Sequence, residues 1–161
     1  MRYIGNMKIL NYNGHIPPIP AVGNYTGFYP SASSELVTNP SILAFNPTSL
    51  STSFNNGIYW IPNSFTNAWI QIECPTPVRI WKITLGGSSA ITSWKISVKV
   101  SSSDAFTDLL TPNNRMTRIQ GNYTVDSTTA YKIYRLIIVT ARLTVIKVNH
   151  FQIYTYFKDG D

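Results

Sequence analysis

The feature that most constrains the fold is a short stretch in which apolar and polar side chains alternate without a fault. It runs from Trp94 to Val100 and reads Trp-Lys-Ile-Ser-Val-Lys-Val. A period of two places its four apolar side chains on one face of a β-strand and its two lysines on the other. One face in a core and one in water is typical of antiparallel sheets rather than of buried parallel sheets.

Other segments and the composition extend this prediction to the whole chain. Strand-like segments cover residues 69–73, 78–85, 131–140 and 143–157, whereas Pro and Gly interrupt residues 24–62 and indicate loops. Aromatic residues make up 13% of the chain and charged residues only 12%. Because aromatic and β-branched side chains suit pleated, half-buried strands, we predict an all-β antiparallel β-sandwich of the jelly-roll type.

The length of 161 residues indicates one domain with short additions. Three prolines between Pro17 and Pro20 predict an extended linker, so residues 1–23 are interpreted as an N-terminal arm and Pro-rich linker. The arm could add a strand, dock on a neighbouring subunit or fray, and attachment is favoured. Residues 24–157 are predicted to form the jelly-roll domain and residues 158–161 a polar tail.

The charge balance argues against nucleic acid as a partner. The net charge of +6 comes from 13 basic and only 7 acidic residues. The basic residues are scattered singly, unlike those of a basic arm that binds phosphates. The single cysteine, Cys74, excludes an internal disulfide and a CxxC metal site.

Few residues could carry catalysis. Glu73 is interpreted as a rim carboxylate or ion-pair partner rather than a general acid, and His150 as a packed or hydrogen-bonded histidine. His15 lies in the linker, and a nucleophile–base pair of Cys74 and His150 lacks an orienting third residue. We therefore predict that the chain is not an enzyme.

Metal binding is also disfavoured. Asp104 and Asp108 offer oxygen atoms to calcium, but the spacing of an EF-hand is absent and capping of a turn explains Asp104. We predict no cofactor.

The amide, guanidinium and aromatic side chains of the chain favour a role in saccharide binding. Amide and guanidinium groups bond sugar hydroxyls, and planar rings stack on sugar faces. A core position is the alternative for the tryptophan among the candidates. Tyr59 and Trp60 are the predicted stacking residues, and Asn56, Asn114, Arg115, Arg118 and Asn122 the predicted hydrogen-bonding residues.

Several short motifs follow one another in a recognisable order. They are Ser31–Ser34, Trp60, Trp69–Glu73, Pro77–Ile83, Trp94–Ser101, Tyr131–Ile137 and Val148–Tyr154. In order and residue type they resemble the discoidin, or coagulation-factor C-type, domains, over about Thr26 to Tyr154. The resemblance implies a galactose-binding-like β-sandwich whose loops at one end bind glycans, phospholipid head groups or protein partners.

Departures from that pattern narrow what the resemblance implies. Calcium-binding members of the family have an Asp and a Glu where this chain has Asn46 and Gln152, so calcium is doubtful. The segment 86–93 lacks the Arg and Asn of sugar-binding relatives, so galactose specificity is not implied.

We therefore predict a non-catalytic module that binds host-surface carbohydrate as part of a virion or phage tail-fibre assembly. The low-charge surface, the absence of a segment typical of a signal peptide, and the arm and linker favour this setting, at the virion or an extracellular surface. Residues 1–23 could also build a homo-oligomer, which would add avidity. The alternatives are a structural adaptor that packs on other virion subunits and a binder of membrane head groups that uses exposed aromatic residues with Arg115 and Arg118.

Overall fold

The computed structural model describes residues 28–45, 59–117, 121–125, 127–143 and 145–155, together with the backbone of residues 2–4 and 7–9. Most of the predicted arm and linker, and the predicted tail, lie outside these residues. No helix in the described part of the chain is long and apolar enough to cross a membrane.

The regular structure of the described residues consists of strands and one 3-10 helix, Ser41–Phe45. The strands are β1 (Arg2–Ile4), β2 (Met7–Ile9), β3 (Tyr29–Ala32), β4 (Trp69–Val78), β5 (Ile80–Gly87), β6 (Ile91–Lys99), β7 (Thr107–Leu110), β8 (Gly121–Thr124), β9 (Tyr131–Ala141) and β10 (Val148–Thr155). β1 and β2 pair with each other.

Two antiparallel sheets form a sandwich. One has five strands in the order β3-β4-β9-β6-β7, and the other has three in the order β10-β5-β8. Apolar side chains from both sheets belong to one buried cluster, and the rings of Trp94 and Tyr123, from opposite sheets, lie 5.0 Å apart. The prediction of an all-β antiparallel sandwich is confirmed.

The alternating stretch forms the strand that it predicts. Trp94, Ile96 and Val98 are buried in the core. Lys95 and Lys99 lie partly exposed on the opposite face, where Ser97 is buried and hydrogen-bonded to Asp108. The strand ends at Lys99, however, and Val100 is 48% exposed. Val100 therefore does not share the core face, because the chain already turns away at this point.

Two other predicted segments have different limits. Residues 78–85 are not one strand: β4 ends at Val78 and β5 begins at Ile80, so the chain changes sheets at Arg79. The segment 143–157 becomes a strand only at Val148. The residues before it form an irregular connection whose backbone bonds to the β5–β6 connection.

The antiparallel order brings four connections to one end of the sandwich. β3, β5, β7 and β9 end there, and β4, β6, β8 and β10 begin there. We call this the loop end, and its described residues are 33–45, 59–68, 88–90, 111–117, 142–143 and 145–147. The opposite end carries residues 100–106 and 127–130.

Candidate functional site

The loop end is organised around the short connection between β5 and β6, residues 88–90. The N–H of Ser88 donates to the carbonyl of Lys147 at 2.8 Å, and the N–H of Arg142 donates to the carbonyl of Ala90 at 2.9 Å. On the other side, the N–H of Gly87 donates to the carbonyl of Thr117 at 2.9 Å. Backbone hydrogen bonds therefore fix the longer β9–β10 and β7–β8 connections on either side of the short β5–β6 connection.

Gly87 permits this close approach. A Cβ atom at this position would lie 2.9 Å from the carbonyl oxygen of Lys147 and would collide with the side chain of Met116. Met116 is buried, and its N–H donates to the carbonyl of Ile91 at 3.1 Å. A side chain at residue 87 would therefore push the three segments apart.

Asn114 and Arg115, both predicted ligand residues, lie exposed in the connection 111–117. Burial raises the pKa of the Tyr123 phenol, and a hydrogen bond from the side chain of Asn114 opposes that shift. The Tyr123 ring beside Asn114 packs edge-on against Trp94 in the core. The guanidinium of Arg115 makes no hydrogen bond or ion pair with a described residue.

Tyr59 also lies at the loop end. Its ring is partly exposed, and the Nζ atom of Lys147 lies 4.4 Å from the ring centroid. Its carbonyl accepts a hydrogen bond from the amide of Asn39 at 3.2 Å. The ammonium group of Lys147 therefore lies over one face of the Tyr59 ring in a cation–π contact.

Trp60 does not have the stacking role predicted for it. Its side chain is 0% exposed, and its indole Nε1–H donates to the carbonyl of Ser34 at 3.0 Å. Its backbone exchanges two hydrogen bonds with Val148, at 2.8 and 3.1 Å. Trp60 therefore joins the β3–β4 connection to β10 in the core, which was the alternative for this residue.

Of the remaining predicted residues, the structure describes only Asn122. Asn122 lies in β8 as the register partner of Thr84, so its exposed side chain belongs to a sheet rather than to a loop. Asn56 and Arg118 lie outside the described residues.

Sequence reasoning missed Arg142 and Lys147. Both lie at the loop end, in or beside a segment that was predicted as a strand. Arg142 is exposed, and its side chain makes no hydrogen bond or ion pair with another described residue. The only signal in the sequence for these residues was the Gly86-Gly87 pair. Such a pair indicates that another segment of backbone approaches closely, but it does not identify that segment.

Apolar side chains are also exposed here. Leu143 is 60% and Val145 55% exposed in the β9–β10 connection, and Val37 is 98% exposed in the β3–β4 connection. Exposed apolar side chains grouped at one end of a domain suit contact with a partner surface.

Glu73, Cys74 and His150, which were considered for catalysis, are described by the structure, and His15 lies outside the described residues. Glu73 pairs with Lys132 at 3.0 Å, and the hydrogen bond from Lys132 is the main cause that lowers the pKa of Glu73. Cys74 is buried, which raises the pKa of its thiol to about 12. His150 is buried with its Nε2 atom 2.7 Å from the hydroxyl of Thr84. The predicted ion pair of Glu73 and the hydrogen-bonded state of His150 are therefore present.

The two candidate calcium ligands are engaged otherwise. Asp104 accepts the backbone N–H of Ser101 at 2.7 Å and so caps a turn, as predicted. Asp108 accepts hydrogen bonds from Ser97 at 2.7 Å and Lys95 at 3.0 Å. Within the described residues no cluster of three or more metal-ligating side chains occurs.

A stack of side chains crosses the outer face of the five-stranded sheet. The guanidinium carbon of Arg135 lies 3.9 Å from the ring centroid of Trp69 and 3.8 Å from that of Phe106. The Nε–H of Arg135 donates to Gln71 at 2.8 Å, and Lys99 lies 4.6 Å from the Phe106 ring. Both faces of this guanidinium are covered, so the stack stabilises the sheet face.

The chain is similar in fold to solved carbohydrate-binding proteins. The family 32 module of NanJ from C. perfringens, in complex with galactose, superposes with a TM-score of 0.64 and 12% identity over 79% of this chain and 93% of that one. A chitosan-binding module from Paenibacillus sp. IK-5 gives 0.65 and 18%, over 80% and 95%. A fucose-binding module from Streptococcus pneumoniae gives 0.65 and 13%, over 80% and 94%.

Sequence comparison alone finds no relative, because neither a scan of protein-family models nor a search of curated proteins gives a match. The likeness therefore lies in the course of the backbone. The chain has the galactose-binding-like β-sandwich fold of these carbohydrate-binding modules.

Proposed function

We propose that this chain is a non-catalytic carbohydrate-binding module that holds its saccharide at the loop end. The observation that carries the proposal is the grouping of Tyr59, Asn114 and Arg115 at one end of this fold. Three solved proteins of the same fold are described as a galactose complex, a chitosan-binding module and a fucose-binding module.

The side chains at the loop end suit this role. Tyr59, which is partly exposed, offers an aromatic ring for a sugar face, and the exposed amide of Asn114 offers a hydrogen-bonding group. The guanidinium groups of Arg115 and Arg142 offer planar donors to hydroxyl or charged groups. A single shallow site of this kind binds weakly, so display in several copies would add avidity.

We further propose that residues 1–23 attach the module to a larger assembly at a virion or another extracellular surface. The Pro-rich segment and the paired strands β1 and β2 support this proposal. Deleting residues 1–23 should abolish assembly or incorporation into particles and leave sugar binding by each domain unchanged. Unchanged assembly would refute this role of the arm.

The test of sugar binding is a glycan array probed with multivalent protein, with calcium and with a chelator. Asn114→Ala should weaken binding of any hit by about 2- to 12-fold, the value of one hydrogen bond. Asn122→Ala is the matched control, because it removes the same side chain from a sheet face. A set of structurally related hits that survive the chelator supports the proposal, and hits lost with the chelator would show that a metal is required.

A structural adaptor is the second candidate, favoured by the exposed Leu143 and Val145. A blank array from well-folded protein would favour it. Binding to anionic vesicles that is lost in the double variant Leu143→Ser/Val145→Ser would instead favour membrane head groups.

A further inference from the structure

At the loop end, the guanidinium groups of Arg115 and Arg142 have no ion-pair partner among the described residues. Arg115, Arg142 and Lys147 lie there, and Glu35 is the sole carboxylate among the described residues of this end. The Oε2 atom of Glu35 accepts the backbone N–H of Ser41 at 2.7 Å, so this carboxylate caps the backbone instead of pairing with a cation.

On the outer face of the five-stranded sheet, two lysines have carboxylate partners. Lys95 pairs with Asp108 and Lys132 pairs with Glu73, each at 3.0 Å. The chain has only 7 acidic residues for 13 basic ones, and two of the acids are used on this face. Lys95 and Lys132 are thus paired with carboxylates on the sheet, whereas Arg115 and Arg142 have no carboxylate partner among the described residues.

The backbone segments that carry the loop-end cations lie around the β5–β6 connection. Arg142 is bonded through its backbone to Ala90, and Lys147 to Ser88. Arg115 precedes Met116, whose N–H is bonded to Ile91. The enclosed connection carries only the side chains Ser88, Ser89 and Ala90. The backbone segments that carry these cations therefore lie on either side of a connection made of small residues.

We infer that the saccharide bound at the loop end is anionic, with a carboxylate or sulfate group that Arg115 and Arg142 bind. This inference rests on the proposed function and adds the charge of the ligand. A guanidinium presents paired N–H donors that match a carboxylate or sulfate, and charge-assisted hydrogen bonds are stronger than those to a neutral hydroxyl. Both guanidinium groups are exposed and hold no acceptor among the described residues, so a ligand does not have to displace an existing partner.

The test compares sialylated, uronate-containing and sulfated glycans with the same glycans after removal of the charged group. Each exposed charge contact contributes about 1.4- to 5-fold, so the anionic forms should bind about 2- to 25-fold tighter. This preference should shrink as sodium chloride rises from about 50 to about 500 mM, because salt screens exposed charges. The sialylated and uronate glycans report on carboxylate, and the sulfated ones on sulfate.

The decisive variant is Arg115→Gln/Arg142→Gln, which should lose the preference and most of the salt dependence. Its matched control is Lys82→Gln/Lys99→Gln, which makes the same change in net charge away from the loop end and should keep both. A thermal melt establishes that each variant is folded. Equal binding of charged and neutral glycans by native protein overturns the inference and leaves the proposed function intact. Failure to bind any saccharide overturns the proposed function with it.

Discussion

Replacing Trp60 tests whether this residue belongs to the core or to the binding surface. The structure places its ring at 0% exposure, with Nε1 bonded to Ser34 and its backbone paired with Val148. Trp60→Ala should therefore lower the free energy of unfolding by about 3–5 kcal/mol, the usual cost of truncating a buried tryptophan. Trp60→Phe keeps most of the ring but leaves the Ser34 carbonyl without its donor, which costs about 1–3 kcal/mol.

Urea denaturation measures these losses. With an m-value of about 2 kcal/mol/M, Trp60→Ala should move the midpoint down by about 1.5–2.5 M. Trp81→Ala is the control: Trp81 is only partly buried, so its loss should be smaller. The reasoning is refuted if Trp60→Ala unfolds within about 1 kcal/mol of native protein yet has lost its glycan affinity, because that is the behaviour of a surface stacking residue.

Three other perturbations test separate parts of the structure. Phe106→Ala removes the ring shared by Arg135 and Lys99 and should destabilise the fold by about 1–2 kcal/mol in urea. Burial raises the pKa of the Cys74 thiol to about 12, so iodoacetamide should label it only in urea; rapid labelling of native protein would contradict this. Hydrogen bonds from Ser97 and Lys95 hold the pKa of Asp108 below its ordinary value of 3.8. The contribution of this carboxylate to the free energy of unfolding is therefore present above pH 3.8 and is lost as the pH falls through the lower pKa of the folded protein. Urea midpoints of native and Asp108→Asn protein should differ at neutral pH and converge in acid.

The sheets were predictable because strand periodicity is a local signal. The alternation from Trp94 to Lys99 reads directly as an inward and an outward face, and those faces are observed. The limits at Arg79 and Val148 were not predictable, because they depend on hydrogen bonds between segments far apart in the chain.

The candidate site was only partly predictable for the same reason. Asn114 and Arg115 lie in a loop with a clear turn signal, so their exposure follows from local sequence. Composition does not distinguish a core tryptophan from a stacking one, and Trp60 is buried because of its pairing with Val148. Arg142 and Lys147 lie at the candidate site because the connection from β9 to β10 passes through the loop end. No local sequence pattern predicts the course of this connection.

The most direct test of the central claim is an NMR titration of isotope-labelled protein with a saccharide selected on the array. The account predicts that amide shifts concentrate in residues 59–60, 87–91, 114–117, 142–143 and 145–147 and are small on the outer face of the five-stranded sheet around Trp69 and Arg135. Shifts centred on that sheet face, with the loop end unchanged, would contradict the claim that the loop end holds the sugar.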